Sequence, residues 1–324
     1  MTNNQEILRV EGLEKTFPIR GGLFFKREGF VHAVSGVCFE IFRGETLGLV
    51  GESGCGKTTI GMCVLRITEP TKGKVLFKRK NILALDKTEL RDFRRRAQII
   101  FQDPFGSLDP QWTVGSIIGE GLSVHGIAHG TERQDRIDDM LKKVGMKPED
   151  KYRYPNEFSG GQRQRIGIAR ALILEPELVI GDEPLSALDV SIQAQVINLL
   201  TELQREFHFS YLMISHDLNV VKYISDRIAV MYLGKIVEIA RSNDIYYDSK
   251  HPYTLALISA SPVADPTMKK EKILLRGDIP SPIDPPSGCR FHTRCPRRID
   301  MCGREEPQLK EVRPLHYCSC HLVD

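Results

Sequence analysis

The sequence contains no uninterrupted apolar run that approaches the ~18 residues needed to span a membrane. Its start, Met1-Thr2-Asn3-Asn4-Gln5-Glu6, also lacks the basic-then-apolar order of a secretory signal peptide. We therefore expect any membrane role to be peripheral. We also expect the chain to stay in a reducing compartment, where its eight cysteines remain free or bind metal.

An excess of charge of one sign is missing as well. The 45 basic and 42 acidic residues leave a net charge of +3, which is too balanced to indicate a nucleic-acid-binding face. Hydrophobic residues at 41% and charged residues at 27% lie in the ordinary globular range and argue against wholesale disorder. The 324 residues are enough for about two domains.

Apolar periodicity predicts strands that alternate with helices over most of the chain, which is typical of an α/β fold with a parallel sheet. A period of two, or a short apolar run, predicts strands at 34–41, 46–50, 178–181 and 211–214. Helical spacing predicts helices that include 131–145 and 192–203. The segments 228–230 and 235–239 predict a hairpin around Gly234.

The composition changes near the C-terminus, where nine of the 18 prolines lie between Pro262 and Pro314. Because proline interrupts both helices and central strands, we predict a first domain at 1–262 and a second at 263–324. The second is expected to be a small, irregular, cysteine-rich appendage rather than a continuation of the sheet.

A glycine-rich segment has the phosphate-loop spacing and lies directly between a predicted strand and a predicted helix. In such a loop the glycines let backbone N–H groups turn toward phosphate oxygens, and the helix N-terminus adds partial positive charge. Lys57 would supply a mobile charge, and the Thr58 hydroxyl would be a ligand for Mg²⁺. The segment reads Gly51-Glu52-Ser53-Gly54-Cys55-Gly56-Lys57-Thr58.

Two adjacent carboxylates, Asp182 and Glu183, end the apolar strand that begins near Leu178. Carboxylates at the C-terminal end of a strand suit two tasks, which are holding hydrated Mg²⁺ and accepting a proton from an attacking water. Charges at strand ends are usually only solvated. The functional interpretation of this pair therefore depends on the phosphate loop earlier in the chain.

A second glycine turn, Ser159-Gly160-Gly161-Gln162, precedes a segment with a helical apolar face. Its plainest interpretation is a helix N-cap. Because a helix N-terminus also attracts anions, the turn is a second candidate phosphate site.

Further polar residues follow predicted strands in a defined order. Gln102 follows an Ile-Ile-Phe strand, Ser186-Ala187-Leu188-Asp189 follows the carboxylates, and His216 follows the strand 211–214. With the two glycine turns, this constellation resembles the nucleotide-binding subunit of ABC transporters over residues 7–240. The resemblance implies an α/β P-loop NTPase core with an antiparallel β-subdomain and a helical subdomain near 103–165.

The resemblance also assigns roles to individual residues. It makes Gly51–Thr58 the Walker A loop with Thr59 beside it, Gln102 the Q-loop residue, Ser159–Gln162 the signature, Asp182 and Glu183 the Walker B pair, Ser186–Asp189 the D-loop, and His216 the switch histidine. Phe17 matches the aromatic residue that stacks on adenine. Mg²⁺ would be bound by Thr58, Gln102 and Asp182, and Glu183 would polarise the attacking water with help from His216 and Gln102.

In this family ATP is held between two subunits packed head to tail, so the resemblance implies a partner ATPase. Within the family the sequence is similar to the ATPase subunits of dipeptide and oligopeptide importers, particularly the second of the paired subunits, on text such as Met231-Tyr232-Leu233-Gly234-Lys235 and His251-Pro252-Tyr253-Thr254. Its implied partners are a non-identical second ATPase, two integral membrane permeases and, through them, an extracytoplasmic substrate-binding protein. The implied location is the cytoplasmic face of the membrane.

The cargo stays open among dipeptides, longer peptides, nickel chelates and glutathione. A soluble ABC ATPase that acts on nucleic acid or ribosomes is the alternative of another class. Such proteins generally hold two cassettes in one chain, whereas one phosphate loop occurs here. A P-loop kinase would have no use for the Ser-Gly-Gly-Gln turn.

Five cysteines crowd into the last 36 residues. Little periodic apolar sequence surrounds them, so the residues alone indicate four thiolates at one metal site, without matching a zinc-finger or ferredoxin pattern. The resemblance implies a [4Fe–4S] cluster, which some members carry, with Zn²⁺ as the alternative. We expect Cys289, Cys295, Cys302 and Cys320 to be the ligands, because the family's last cysteine directly precedes His-Leu, as Cys320 does and Cys318 does not.

Overall fold

The structure is a computed structural model that describes residues 5–21, 26–261 and 273–323. Its strands are β1 Glu6–Gly21, β2 Lys26–Phe42, β3 Thr46–Val50, β4 Lys72–Phe77, β5 Lys80–Asn81, β6 Ala97–Ile100, β7 Leu178–Asp182, β8 Ser210–Ser215, β9 Arg227–Tyr232, β10 Lys235–Arg241, β11 Lys310–Arg313 and β12 His316–Cys318. Its helices are α1 Lys57–Val64, α2 Lys87–Arg96, α3 Val114–Val124, α4 Gly130–Lys143, α5 Gly160–Leu172, α6 Val190–Phe207, α7 Leu218–Ile224, α8 Ser242–Asp248 and α9 Pro252–Ala260.

Contacts between residues divide the chain into two compact units. The first unit contains Met1–Ile7, Ile41–Glu45 and Ala84–Ile214. The second contains Leu8–Glu40, Thr46–Leu83 and Ser215–Asp324. The predicted domain boundary between 262 and 263 lies outside the described residues and stays a prediction.

The first unit is built on parallel strands in the order β8–β7–β6. Ile180 in β7 is opposite Ile99 on one side and Leu212 on the other, and every residue of β7 is buried. A strand buried on both faces reads as a continuous apolar run, which is why the sequence predicted it.

The helices of the first unit follow the apolar periodicity closely. The predicted helix at 131–145 is α4, and its predicted face is confirmed because Ile137, Met140 and Leu141 are buried. The region 103–165 contains α3, α4 and the start of α5, with short 3₁₀ turns and no strand. This content fits the expected helical subdomain.

The second unit holds two sets of strands. In one, β4 pairs antiparallel with both β1 and β5, as expected for an antiparallel β-subdomain. In the other, β3 runs parallel to β9, and β9 pairs antiparallel with β10. The predicted hairpin is confirmed at β9 and β10, where Gly234 has a φ of 81° that favours glycine.

The C-terminal tail extends a sheet, and the expectation that it would not is wrong. β12 pairs antiparallel with β10, placing Cys318 opposite Glu238, and β11 pairs with β12. The two strands have only three and four residues, which is too short for a period of two to be recognised. Their pairing covers an edge of β10 that would otherwise present unpaired backbone groups.

No helix in the described part of the chain is long and apolar enough to cross a membrane.

Candidate functional site

The phosphate loop lies between the end of β3 and the start of α1, so the predicted strand–loop–helix context is confirmed. Gly56, the N-cap residue of α1, has a φ of 107°, and a Cβ there would lie 2.1 Å from the carbonyl oxygen of Ala33. A Cβ on Gly51 would lie 2.1 Å from the carbonyl oxygen of Met231. These close approaches require glycine at both positions.

Lys57 is the first residue of α1 and is only 4% exposed. Its Nζ donates hydrogen bonds to the carbonyl oxygens of Gly51 at 2.8 Å and Glu52 at 3.1 Å. The ammonium group is therefore held against the backbone of the loop itself. We predict that this ammonium group reaches the phosphates of a bound nucleotide.

The other residues of the loop differ in exposure. Ser53, Gly54 and Thr58 are exposed, and Thr59 is half-buried. Cys55 is buried, and that burial raises the pKa of its thiol, so the side chain stays neutral at pH 7. We infer that Cys55 serves the loop through packing and its backbone.

The second unit also contains the predicted adenine-stacking residue and the predicted switch histidine. Phe17, in β1, is 39% exposed, and the Nζ of Lys15 lies 4.8 Å from the centre of its ring. The stacking role of this partly exposed ring stays a prediction. His216 is exposed between β8 and α7, and the next residue, Asp217, caps α7 by accepting a hydrogen bond from the Asn219 N–H.

The predicted Walker B carboxylates lie at the C-terminal end of β7 in the first unit. Asp182 is 5% exposed and is the last residue of the strand. Glu183 follows it with a φ of 47°, in the left-handed region that non-glycine residues rarely adopt. Its backbone N–H donates to the carbonyl oxygen of Ile214 at 3.0 Å, which holds this strained residue in place.

The structure brings together Gln102 and Glu183, which are 81 residues apart in the sequence. The Gln102 Nε2 donates to the Glu183 Oε2 at 3.4 Å. The contact follows from topology, because Gln102 and Glu183 follow the adjacent parallel strands β6 and β7. An amide beside the predicted base supports the expectation that both residues act on one water.

The predicted D-loop forms a turn anchored on Glu183. The Ser186 Oγ donates to the Glu183 carbonyl oxygen at 3.0 Å, and the Gln193 side chain donates to the carbonyl oxygen of Leu188 at 3.0 Å. Ser186, Ala187 and Asp189 are exposed, and Leu188 is half-buried. The turn is thus tied to the catalytic candidate while its side chains face outward.

The signature turn begins α5 with a reciprocal cap. The Ser159 Oγ accepts from the Gln162 N–H at 3.4 Å, and the Gln162 Oε1 accepts from the Ser159 N–H at 3.0 Å. A Cβ on Gly161 would lie 2.7 Å from Ile192 Cγ2, whereas a Cβ on Gly160 would lie 3.9 Å from Leu188 Cδ2, which is an ordinary contact. The predicted helix N-cap is therefore confirmed.

A cavity of about 440 Å³ opens beside this turn. Its lining includes Ser159, Gly161 and Gln162, three cationic side chains, and one carboxylate that forms an ion pair with Arg153: Lys147, Arg153, Arg165 and Asp150. Cationic side chains and a helix N-terminus both favour negative charge.

The cysteines of the tail lie close enough to influence one another. The pKa of the Cys289 thiol is raised to about 11, chiefly by burial and in smaller part by the nearby thiols of Cys302, Cys320 and Cys295. The Cys289 N–H also donates to the Cys302 carbonyl oxygen at 2.8 Å. Cys318 belongs to β12, and the charge of Glu238 adds to burial in raising its pKa.

The described residues do not show the predicted metal site. Within the described ranges no group of three or more His, Cys, Asp or Glu side chains is arranged to hold a metal ion.

Sequence reasoning missed two residues that touch the phosphate loop. The Glu52 N–H donates to the Tyr253 hydroxyl at 3.0 Å, and the Arg294 guanidinium forms an ion pair with the Glu52 carboxylate. Periodicity gives no sign of contacts between residues about 200 positions apart. The only signal was the His251-Pro252-Tyr253-Thr254 text, which carried a family resemblance without a role.

Comparison with protein families identifies two matching regions. Residues 34–186 match the model described as ABC transporter. Residues 237–302 match the model described as Oligopeptide/dipeptide transporter, C-terminal region. The first match contains the phosphate loop, the signature turn and the Walker B carboxylates, and the second contains three of the tail cysteines.

The matches to similar proteins extend over nearly the whole chain. The Oligopeptide transport ATP-binding protein AppF of Bacillus subtilis is 52% identical over 323 residues, covering 99% of this chain and 98% of its own. The Putative peptide import ATP-binding protein BOV_A0347 of Brucella ovis is 54% identical over 314 residues, covering 97% of each chain.

Solved structures agree on the fold. The dimeric post-hydrolysis state of the ATP-binding cassette MJ0796, bound to ADP and Pi, matches with a TM-score of 0.65 at 28% identity, covering 72% of this chain and 98% of that one. CbiO1 of Clostridium perfringens matches with a TM-score of 0.64 at 28% identity, covering 75% and 92%. The chain belongs to the ATP-hydrolysing subunits of ABC transporters, in the branch of oligopeptide and dipeptide transport ATP-binding proteins.

Proposed function

We propose that this chain hydrolyses ATP to drive import of dipeptides or oligopeptides through a membrane ABC transporter. The observation that carries the proposal is the second family match, because the region at 237–302 distinguishes peptide transporters from ABC ATPases in general. The peptide-import names of proteins more than 50% identical over nearly the whole chain support the same cargo.

The proposal includes the partners that such transport requires. The chain would work at the cytoplasmic face of the membrane with two integral permease subunits, which receive cargo from an extracytoplasmic substrate-binding protein. A second, non-identical ATPase subunit would complete the assembly. The balanced charge of +3 favours this arrangement over action on nucleic acid.

In the proposed reaction, residues of this chain act on the γ-phosphate and the attacking water. Lys57 neutralises charge that develops on the phosphate, and Glu183, held by its contacts to Gln102 and Ile214, accepts a proton from the water. Phe17 would stack on adenine, and His216 would contact the attacking water alongside Glu183. Mg²⁺, when bound, would offset negative charge on the phosphates.

The proposed Mg²⁺ ligands fit the chemistry of that ion. Asp182 offers a carboxylate, Thr58 a hydroxyl and Gln102 an amide oxygen, and Mg²⁺ prefers oxygen ligands. Loss of the Asp182 carboxylate would therefore weaken Mg²⁺-dependent nucleotide binding more than Mg²⁺-independent binding.

The signature turn would serve a nucleotide held by the partner ATPase. Its support is the capped α5 N-terminus, the cavity beside it and its basic lining. In a head-to-tail pair each ATP would be bound by the Walker A loop of one subunit and the signature of the other.

The direct test of cargo uses the complete transporter reconstituted in lipid vesicles. Uptake of a labelled dipeptide and of a labelled pentapeptide, with ATP present on the side of this subunit, is compared with uptake of a nickel chelate and of glutathione. Peptide uptake that requires ATP supports the proposal. ATP-dependent uptake of only nickel chelate or glutathione would establish one of the alternative cargoes.

We further propose that Cys289, Cys295, Cys302 and Cys320 hold a [4Fe–4S] cluster in the tail. The support is that the tail thiols, Cys318 included, lie close enough to influence one another's pKa, and the choice of Cys320 over Cys318 rests on the family resemblance. A bound cluster would crosslink a small segment that has little core of its own. Iron and sulfide analysis of anaerobically purified protein tests this, and one zinc per chain without iron would contradict it.

A further inference from the structure

An ion pair joins the C-terminal tail to the phosphate loop. Arg294 Nη1 lies 2.8 Å from Glu52 Oε2, and Arg294 Nη2 lies 3.2 Å from Glu52 Oε1. Only 9% of the Arg294 side chain and 24% of the Glu52 side chain are exposed. The pair is thus bidentate and largely removed from water, which distinguishes it from the exposed ion pairs elsewhere on the surface.

Glu52 is held by its backbone as well as by its side chain. Its N–H donates to the Tyr253 hydroxyl at 3.0 Å, and its carbonyl oxygen accepts from Lys57 Nζ at 3.1 Å and from the Cys55 N–H at 3.3 Å. One residue therefore connects the tail, α9 and the phosphate-binding lysine. A change at its side chain is passed directly to the backbone that positions Lys57.

Arg294 is itself fixed by an aromatic cluster of Tyr232, Tyr253 and Phe291, each at most 1% exposed. The ring centres of Phe291 lie 5.2 Å from Tyr232 and 5.3 Å from Tyr253. The Arg294 N–H donates to the Phe291 carbonyl oxygen at 3.0 Å, and its guanidinium lies 5.8 Å from the centre of the Tyr232 ring. The guanidinium is therefore presented to Glu52 by a packed support.

The charge of Glu52 makes this contact matter for nucleotide binding. A carboxylate beside a loop that binds a polyanion repels it unless the carboxylate is neutralised. Removing one partner of a desolvated pair also leaves an uncompensated charge, which destabilises the local arrangement. Loss of Arg294 would thus act twice, by freeing the loop and by exposing negative charge.

We propose that Arg294 is a positioning residue for ATP binding, which neutralises Glu52 and fixes the phosphate loop from the C-terminal tail. The inference rests on the proposed nucleotide-binding role of the loop. It gives the tail a function in the ATP site.

The test measures KM for ATP and kcat in the assembled transporter. Arg294→Met should raise KM about tenfold, equivalent to about 1.4 kcal/mol, with kcat changed less than about twofold. Glu52→Ala removes both the repelling carboxylate and its ion pair with Arg294, so it should raise KM less than Arg294→Met does. In the Glu52→Ala background, Arg294→Met should then change KM by less than about twofold.

The matched control is Arg313→Met, which removes a tail arginine whose ion pair is with Asp248 on the surface. It should leave KM for ATP unchanged. Melting temperatures of the purified chains show whether the tail has unfolded, a structural effect that would persist in the Glu52→Ala background while the effect on KM would not.

An inactive parent transporter would overturn the proposed ATPase function itself. An active parent whose KM is the same with Arg294→Met would overturn the positioning role alone, as would an equal rise in KM from Arg294→Met in both backgrounds.

Discussion

Gly181, the residue before the Walker B aspartate, is expected to be intolerant of even one added methyl group. A Cβ at this position would lie 2.2 Å from the hydroxyl oxygen of Tyr211 and 2.8 Å from its Cζ. Tyr211 is 1% exposed in β8, directly beside β7, and has no space into which to withdraw without repacking. Overpacking of this kind costs about 1–3 kcal/mol.

The loss of stability depends on which atoms move to relieve the contact between the added Cβ and Tyr211. The Tyr211 hydroxyl has no hydrogen-bond partner among the described residues, so removing it sacrifices no hydrogen bond within that part of the chain. We expect Gly181→Ala to lower the free energy of unfolding by about 2 kcal/mol, or Tm by roughly 4–8 °C for a domain of this size. Tyr211→Phe alone should raise stability by about 1 kcal/mol, because it removes an unpaired buried hydroxyl.

The double variant Gly181→Ala with Tyr211→Phe separates the contacts. It should recover part of the lost stability and not all of it, because the ring carbon at 2.8 Å remains. Thermal unfolding of the four purified chains is the assay. Equal Tm values for Gly181→Ala and the parent chain would refute the packing argument, and so would a destabilising Tyr211→Phe.

Other substitutions probe the remaining sites. Ser159→Ala should impair hydrolysis of the nucleotide bound by the partner's Walker A loop by roughly tenfold or more, and a heterodimer with one crippled Walker A loop at a time checks which site fails. Cys320→Ser should remove the iron from anaerobically purified protein whereas Cys318→Ser should not, and the reverse pattern would contradict the choice of ligand. Burial lowers the pKa of His251 to about 4 in the folded chain. Between pH 6.5 and pH 4 the unfolded chain therefore binds more protons than the folded one. The free energy of unfolding should fall over this range as the pH drops, by up to about 3 kcal/mol. His251→Asn keeps an acceptor for the Tyr253 N–H and should flatten that dependence, as urea unfolding at several pH values would show.

Much of the first unit and of the nucleotide motifs could be predicted because their signals are local. β7 is a run of apolar residues ending in two carboxylates, and Gly51–Thr58 is a contiguous loop between a strand and a helix. Each of these segments specifies its own conformation through glycine, capping or periodicity. The assignment of catalytic roles to Glu183 and His216 came from resemblance and remains a prediction.

The features that escaped prediction depend on contacts made across long sequence distances. β12 has three residues and forms because β10 offers an edge, which no local pattern reveals. Arg294 reaches Glu52 across 242 positions, and nothing in its proline-rich surroundings points to the phosphate loop. Nothing in the sequence around Gly181 shows that a side chain there would meet Tyr211, which lies on the neighbouring strand β8.

The central claim is that this chain hydrolyses ATP with Glu183 as the base in order to drive transport. Its most direct test is the rate of ATP hydrolysis by the assembled transporter carrying Glu183→Gln, measured together with ATP binding and peptide uptake. The amide keeps the shape of the side chain but cannot take up the proton, so hydrolysis should fall by about 10²–10⁴-fold and uptake should stop while ATP remains bound. Hydrolysis and peptide uptake at the parental rate would contradict the account.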